Sequence, residues 1–253
     1  MTDSETAQQE WALRCDLAAL YRLLAHFRMT DLIYTHLSVR IPGPGHRFLI
    51  NEYGRLFHKM RASDLVAVDA GGEPDVPPHE SNGRQVNAAG FTIHSAIHMA
   101  RPDVACVIHT HTSAGIAVSC LEEGLLPISQ HALKFYGRLS YHGYEGVALD
   151  LGERDRLVED LGSNFAMVLR NHGLLTCGRT VAEAFHQIYY LERACQAQVA
   201  ALQGGRALVY PPEEVRLRTA AQFQGSEPDM LRNSRRAWDA ALQLLEGEPD
   251  WRC

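Results

Sequence analysis

The sequence is most informative at first through what it lacks. No apolar run approaches the ~20 residues that cross a bilayer, and no cluster of Lys and Arg stands out. A membrane span is therefore not expected, and neither nucleic acid nor an anionic membrane is an expected partner. The first residues, MTDSETAQQEW, are acidic and polar, unlike a secretory leader. No Cys-x-x-Cys occurs. Cys15, Cys106, Cys120, Cys177, Cys195 and Cys253 are scattered, which reads as reduced core thiols and a cytoplasmic location. Several lie in apolar runs, so a cysteine nucleophile is not expected. Gly-x-Ser-x-Gly, the P-loop and the dinucleotide fingerprint are absent too, which removes three large enzyme classes. What remains is a chain of 253 residues, 46% apolar and 21% charged, with net charge −6. That is enough to build a sizeable core. It also carries thirteen histidines, a residue suited to metal and acid–base chemistry.

Periodicity places the elements. Leu13, Leu17, Leu20, Tyr21, Leu24 and Phe27 recur at helical spacing between Trp11 and Phe27. Leu37, Val39 and Ile41 then alternate with Ser38 and Arg40, a half-buried strand ended by Pro42-Gly43. Strands are also expected at 47–51, 64–70, 104–108, 166–169 and 174–177, with helices at 86–99 and 114–120. Thr180-Val-Ala-Glu183 is a capping-box signature that opens a long helix to about Leu202. The Pro-rich stretch from Pro74 to Gly83 reads as a loop. Helices and strands alternate without repeats, so one α/β domain with a mixed sheet is expected over 1–205. The segment 206–253, with one amphipathic stretch near 238–245, reads as an arm that packs on a neighbouring subunit.

The short run VACVIHTHTSAG carries the chemistry. Side chains at i and i+2 of a strand share a face, so His109 and His111 project together from a buried strand end. Two such imidazoles can share a metal ion. The plainer alternative is two histidines hydrogen-bonding backbone or water at a loop entry. Asn171-His172-Gly173 sits at another strand end, where the glycine would allow a turn aiming His172 into the same cleft. Three histidines and water make an open catalytic set. A rival pair, His94 and His98, lies one helical turn apart, but His-Ser-Ala-Ile-His lacks the glutamate of a His-Glu-x-x-His site. His98 is assigned a structural or polar-face role; His94 could line the cleft. Gln130-His131, Tyr136 and Tyr141-His142 could also reach it, though polar surface is the default for each. His79-Glu80 reads as solvated loop. His26, His46, His58 and His186 have no constellation around them and default to surface or core.

VNAAGFTIHSAIHMARPDV, then HTHT, then LLPIS, and later LRNHGLLTCGRTVAEAF resemble the class II aldolase/adducin family, most closely its adducin-type branch. The resemblance covers roughly Leu20 to Leu202. It implies a three-layer α/β/α sandwich around a central mixed, largely antiparallel sheet, and a homotetramer with sites at subunit interfaces. It also implies a divalent metal, commonly zinc, held at positions that are His109, His111 and His172 here. Manganese and iron are the other candidates. The departures concern the reaction. The family aldolases' catalytic glutamate corresponds to Gly90, their phosphate-binding hydroxyl pair to Ala88-Ala89, and their Ser-Gly-Asn phosphate loop to Tyr34-Thr35-His36. A general base contributes about 10²–10⁴-fold, so a substitute is needed, and His36 or His131 is the candidate. His36, His94 and His131 are thus the candidate catalytic residues.

The expected function is a metal-dependent lyase, cleaving or decarboxylating a small, non-phosphorylated hydroxy- or keto-acid. Two alternatives use the same scaffold. One is a non-haem metal oxygenase or isomerase, since three histidines also hold iron. The other is an adducin-like binding module of the cytoskeleton, to which Gly90 is no obstacle.

Overall fold

The computed structural model describes residues 3–43, 45–69, 71–72, 86–146 and 152–253. In chain order its elements are α1 (Asp3–His26), β1 (His36–Arg40), β2 (Phe48–Asn51), β3 (Leu65–Val68), α2 (Ala88–Ala100), β4 (Cys106–Thr110), α3 (Ser113–Ser119), α4 (Gln130–Leu133), β5 (Ser140–His142), α5 (Glu153–Leu161), β6 (Ala166–Leu169), β7 (Gly173–Gly178), α6 (Val181–Gln203), α7 (Glu213–Gln224) and α8 (Glu227–Leu242). The seven strands form one sheet in the order β3-β2-β1-β4-β7-β6-β5. Every neighbouring pair is antiparallel except β5 with β6. The mixed, largely antiparallel sheet and its helical layers agree with the expected α/β/α class.

Strand alternation sorts the core onto two faces. Cys106 and Ile108 of β4, Ala166 and Val168 of β6, and Leu174 of β7 join the cluster built with α1, α6 and α8. Their neighbours Val107, Met167, Leu169, Leu175 and Cys177 join the other, with Ile93 and Ile97 of α2 and Leu157 and Leu161 of α5. Each buried leucine or isoleucine contributes roughly 1.5–3 kcal/mol. Tyr21 locks α1 to the sheet. Its hydroxyl accepts from the Leu37 N–H at 2.9 Å and donates to the Leu37 carbonyl at 2.6 Å.

The capping box at α6 forms as expected. Thr180 Oγ1 accepts from the Glu183 N–H, and Glu183 accepts from the Arg179 N–H. The strand expected at 104–108 sits two residues later, so His109 lies inside β4 rather than beyond it. The segment 206–253 holds two helices rather than one amphipathic stretch. Trp238, Ala241, Leu245 and Trp251 are buried in the same cluster as α1 and α6 of their own chain, whereas α7 is largely exposed. Three short elements escaped the periodicity: α4, β5 and α5 are each nine residues or fewer. Among the described residues, no helix is long and apolar enough to cross a membrane. Pro74 to Gly83, with His79-Glu80, falls outside the described residues.

Candidate metal centre

β4 and the turn between β6 and β7 build the site. His109 is the fourth residue of β4, and His111 follows one residue past its end. β7 pairs antiparallel with β4, Leu174 opposite Thr110, and this brings the turn before β7 alongside the two histidines. His172 stands in that turn. Its bend comes from Asn171, which holds a φ of 55°, a conformation asparagine tolerates better than most residues. Gly173 has a different reason from the one expected. A Cβ there would lie 2.3 Å from the Thr110 carbonyl oxygen, so the glycine permits close strand approach rather than the turn itself.

The three imidazoles converge. His109 Nε2 is 2.8 Å from His111 Nε2, which is 2.9 Å from His172 Nε2. All three ligand atoms lie within 4.8 Å of one another. The outer nitrogens decide what this means. His109 Nδ1 is 3.0 Å from the Leu174 carbonyl, and His111 Nδ1 is 2.9 Å from Asp31 Oδ2. Both partners only accept, so each Nδ1 carries a hydrogen, and in the metal-binding tautomer each Nε2 presents a lone pair. Two lone pairs at that separation repel unless a cation lies between them. An oriented Nδ1–H with a bare Nε2 is the arrangement of a metal-ligating histidine. The donor set therefore fits a divalent ion on His109, His111 and His172.

Burial favours the neutral form of two of these rings, the form in which a histidine binds metal. It holds His109 well below the ordinary histidine range, with His172 and His111 as lesser causes. His172 is lowered to about 4, by burial first and His111 second.

Two supporting residues were not legible in the sequence. Asp31 and Glu192 each lie 80 positions from their partner. Asp31 reaches His111 from a tight reversal in which Arg28, Leu32 and Thr35 all take positive φ. Glu192 of α6 is buried and accepts from Thr112 Oγ1, which in turn accepts from the Gly115 N–H to cap α3. The segment after His111 is thereby fixed from both sides. No sequence pattern announces either contact.

The remaining candidates fall in different places. His36 is paired with His109 across β1 and β4, so the two side chains share the face towards α2. It is 4% exposed, and its Nε2 has no hydrogen-bond partner. Burial, and secondarily the charge of His111, lowers it to about 4. Its ring fills the space beside Gly90, where a Cβ would fall 2.3 Å from His36 Nδ1. His94 is fully buried beside His36, with ring centroids 6.2 Å apart, and its Nδ1 meets Ser38 Oγ at 2.6 Å. His98 Nε2 meets the same hydroxyl at 2.7 Å and its ring stacks on Phe48, a structural role inside the core rather than on a polar face. His131 is exposed on α4, against the Tyr190 ring, and no contact joins it to the three histidines. Tyr136 donates to Glu213, and the Tyr141 hydroxyl accepts from the Leu125 N–H. His142 comes closer to the site. Its Nδ1 meets Asp160 at 2.7 Å, and it lines a small recess together with Tyr144 and His172.

Known proteins resemble this chain in sequence and fold. Residues 15–199 match the family model described as Class II Aldolase and Adducin N-terminal domain. A crystal structure of an aldolase II superfamily protein from Pseudomonas syringae is 51% identical, with a TM-score of 0.89, covering 97% of this chain and 96% of that one. L-fuculose 1-phosphate aldolase from Glaciozyma antarctica PI12 is 31% identical, with a TM-score of 0.84, covering 100% of this chain and 96% of that one. Rat (Rattus norvegicus) alpha-adducin is 45% identical over 194 residues, 76% of this chain but only 26% of the adducin. The chain belongs to the class II aldolase and adducin N-terminal domain family.

Proposed function

We propose that the protein is a metal-dependent lyase that cleaves or decarboxylates a small, non-phosphorylated hydroxy- or keto-acid, with zinc on His109, His111 and His172. The observation that carries the reading is the convergence of two bare Nε2 atoms whose outer nitrogens are already committed. A divalent ion held there would supply Lewis-acid polarisation of a carbonyl oxygen. Asp31 and the Leu174 carbonyl fix the ligand rings. Glu192, through Thr112, holds the backbone that follows them.

His36 is the residue placed to exchange a proton. It lies beside His109 on the same face, and its Nε2 is uncommitted. A ring held neutral by burial accepts a proton rather than donating one at neutral pH. The volume of a side chain at position 90 is taken by that imidazole, so His36 replaces such a group instead of supplementing it. Ala88-Ala89 offers no hydroxyl for a phosphate, which separates the substrate from that in the name of the Glaciozyma relative. We assign the assembly as a cytoplasmic homotetramer.

A second reading, a non-catalytic binding module, rests on the alpha-adducin match and on Gly90. One experiment sorts the two. Metal content is measured by inductively coupled plasma mass spectrometry for the wild type and His109→Ala, beside a turnover screen of hydroxy- and keto-acids that includes L-fuculose 1-phosphate. The lyase reading expects one metal per chain, lost in the variant, and turnover of a non-phosphorylated acid that chelator abolishes and zinc restores. Turnover that survives complete metal removal overturns it. Metal-free, inactive protein that cosediments with actin makes the binding reading the correct one.

A further inference from the structure

A second cleft, of about 630 Å³, opens at the other end of the β6–β7 hairpin. Ala166 pairs with Thr176 and Leu169 with Gly173, so the cleft's Asn164, Phe165 and Arg179 lie opposite the His172 turn. Six residues of β7 at ~3.3 Å each put the two sites about 20 Å apart. The remaining walls come from the segment after α4, the first turns of α6, the end of α7 and α8.

Its charges do not balance. Lys134 is half-buried, and its ammonium donates to Gln187 Oε1 at 2.5 Å and lies 3.3 Å from His186 Nδ1. Both partners are neutral. His186 is pushed down to about 4, by burial first and by the charge of Lys134 second. Arg138 lines the same cleft, exposed at its rim. Glu183 is the acidic residue there and its charge favours the ammonium, but its oxygens accept from the Arg179 N–H at 2.7 Å and the Arg179 guanidinium at 2.8 Å. Arg179 also meets Glu227 at 3.6 Å. Among the described residues, Lys134 and Arg138 are thus left without a carboxylate at ion-pair distance. Desolvation shows in Lys134, lowered to about 8. A partly desolvated cation held only by neutral acceptors is costly, and a ligand that brings the counter-charge recovers that cost.

We infer that this cleft is a binding site for a small organic anion, its carboxylate or phosphate group seated between Lys134 and Arg138. Gln187 and Asn164 supply neutral hydrogen-bonding groups, and Phe135 and Phe165 an apolar wall. The site is independent of the metal centre and of the reaction assigned to it.

The test titrates the full-length protein at pH 7 with inorganic phosphate and, separately, with malonate, by calorimetry and thermal shift. Wild type is compared with Lys134→Met, Arg138→Ala and His109→Ala. Saturable binding is expected, weakened about tenfold in Lys134→Met and several-fold in Arg138→Ala, and unchanged in His109→Ala. The tighter probe tells phosphate from carboxylate. Without anion, Lys134→Met should melt at or above the wild-type temperature, because it removes a partly desolvated charge that has no carboxylate partner. Should that variant fail to fold, Arg138→Ala, at the exposed rim, decides alone. Absence of saturable binding at roughly millimolar probe, binding lost with His109→Ala, or binding indifferent to both cation variants overturns the proposal.

Discussion

An alanine at position 90 measures how firmly His36 holds the place of a side chain there. A Cβ on Gly90 falls 2.3 Å from His36 Nδ1, 2.5 Å from Cγ and 2.6 Å from Cε1. Non-bonded heavy atoms settle near 3.5 Å, so the overlap is about 1 Å along one edge of the ring. The ring has little freedom to withdraw, being 4% exposed and backed by His94. Forcing a methyl into such a space costs roughly 1–3 kcal/mol. Against this, alanine in place of glycine within α2 gains at most about 1 kcal/mol. Gly90→Ala should therefore destabilise the wild type by up to about 2 kcal/mol. In a His36→Ala background the overlap vanishes, and the same change should stabilise by up to about 1 kcal/mol. The helix-propensity gain cancels between the two backgrounds, so the coupling equals the overlap cost, about 1–3 kcal/mol, within the range of residues in direct contact. Urea unfolding of the four proteins, stripped of metal and held at pH 7.5, reads it as a shift of midpoint at constant slope. Equal effects of Gly90→Ala in both backgrounds would refute the idea that His36 fills this space.

Gly173→Ala should be worse than Gly90→Ala, because the obstructing atom is the Thr110 carbonyl oxygen, backbone between the two ligands. We expect a loss of about 3 kcal/mol together with lost metal content, and an unchanged melting temperature would contradict the close-approach explanation. Acid should weaken the metal-stripped protein through its buried histidines: His36 near 4 and His98 near 3 both lie below their unfolded values because of burial. Unfolding then takes up protons, so the stability is fully present above about pH 6.5 and is lost as pH falls toward the folded values, by up to about 3 kcal/mol for His36 alone; a denaturant midpoint that stays level between pH 7.5 and 4.5 would rule this out.

The legible parts of the site are those written in local periodicity. His109 and His111 share a strand face by spacing alone, and alternation in β1 sets Ser38 and Arg40 opposite Leu37 and Val39, whereas His36 enters only through the resemblance. Gly173 marks the limit of that legibility, since sequence marks a special backbone position without saying whether conformation or close approach demands it. Asp31 and Glu192 were invisible, because each meets its partner across 80 residues through tertiary packing. The core positions of Trp238 and Trp251 are hidden for the same kind of reason. The polar residues around them outweigh the few apolar ones locally, and only contact with α1 and α6 shows the tail closing the core.

The polar column behind the metal centre bears on whether the site works. Ser38 offers one hydroxyl hydrogen to two rings, His94 and His98, so one histidine must accept from it and the other donate to it. Even so, His98 Nδ1 and His36 Nε2 remain buried without partners, at a cost of about 1–3 kcal/mol each. Apolar side chains of similar size would fill this face of α2 and β1 more stably, as Ile93, Ile97 and Val107 already do beside it. A scaffold needed only for its shape has no use for an unsatisfied imidazole next to three converging ones. A pocket that must hold a metal and exchange a proton does, and stability given up at one place for chemistry is the mark of such a pocket. On that ground the catalytic reading stands ahead of the binding module, even though Gly90 alone suits both.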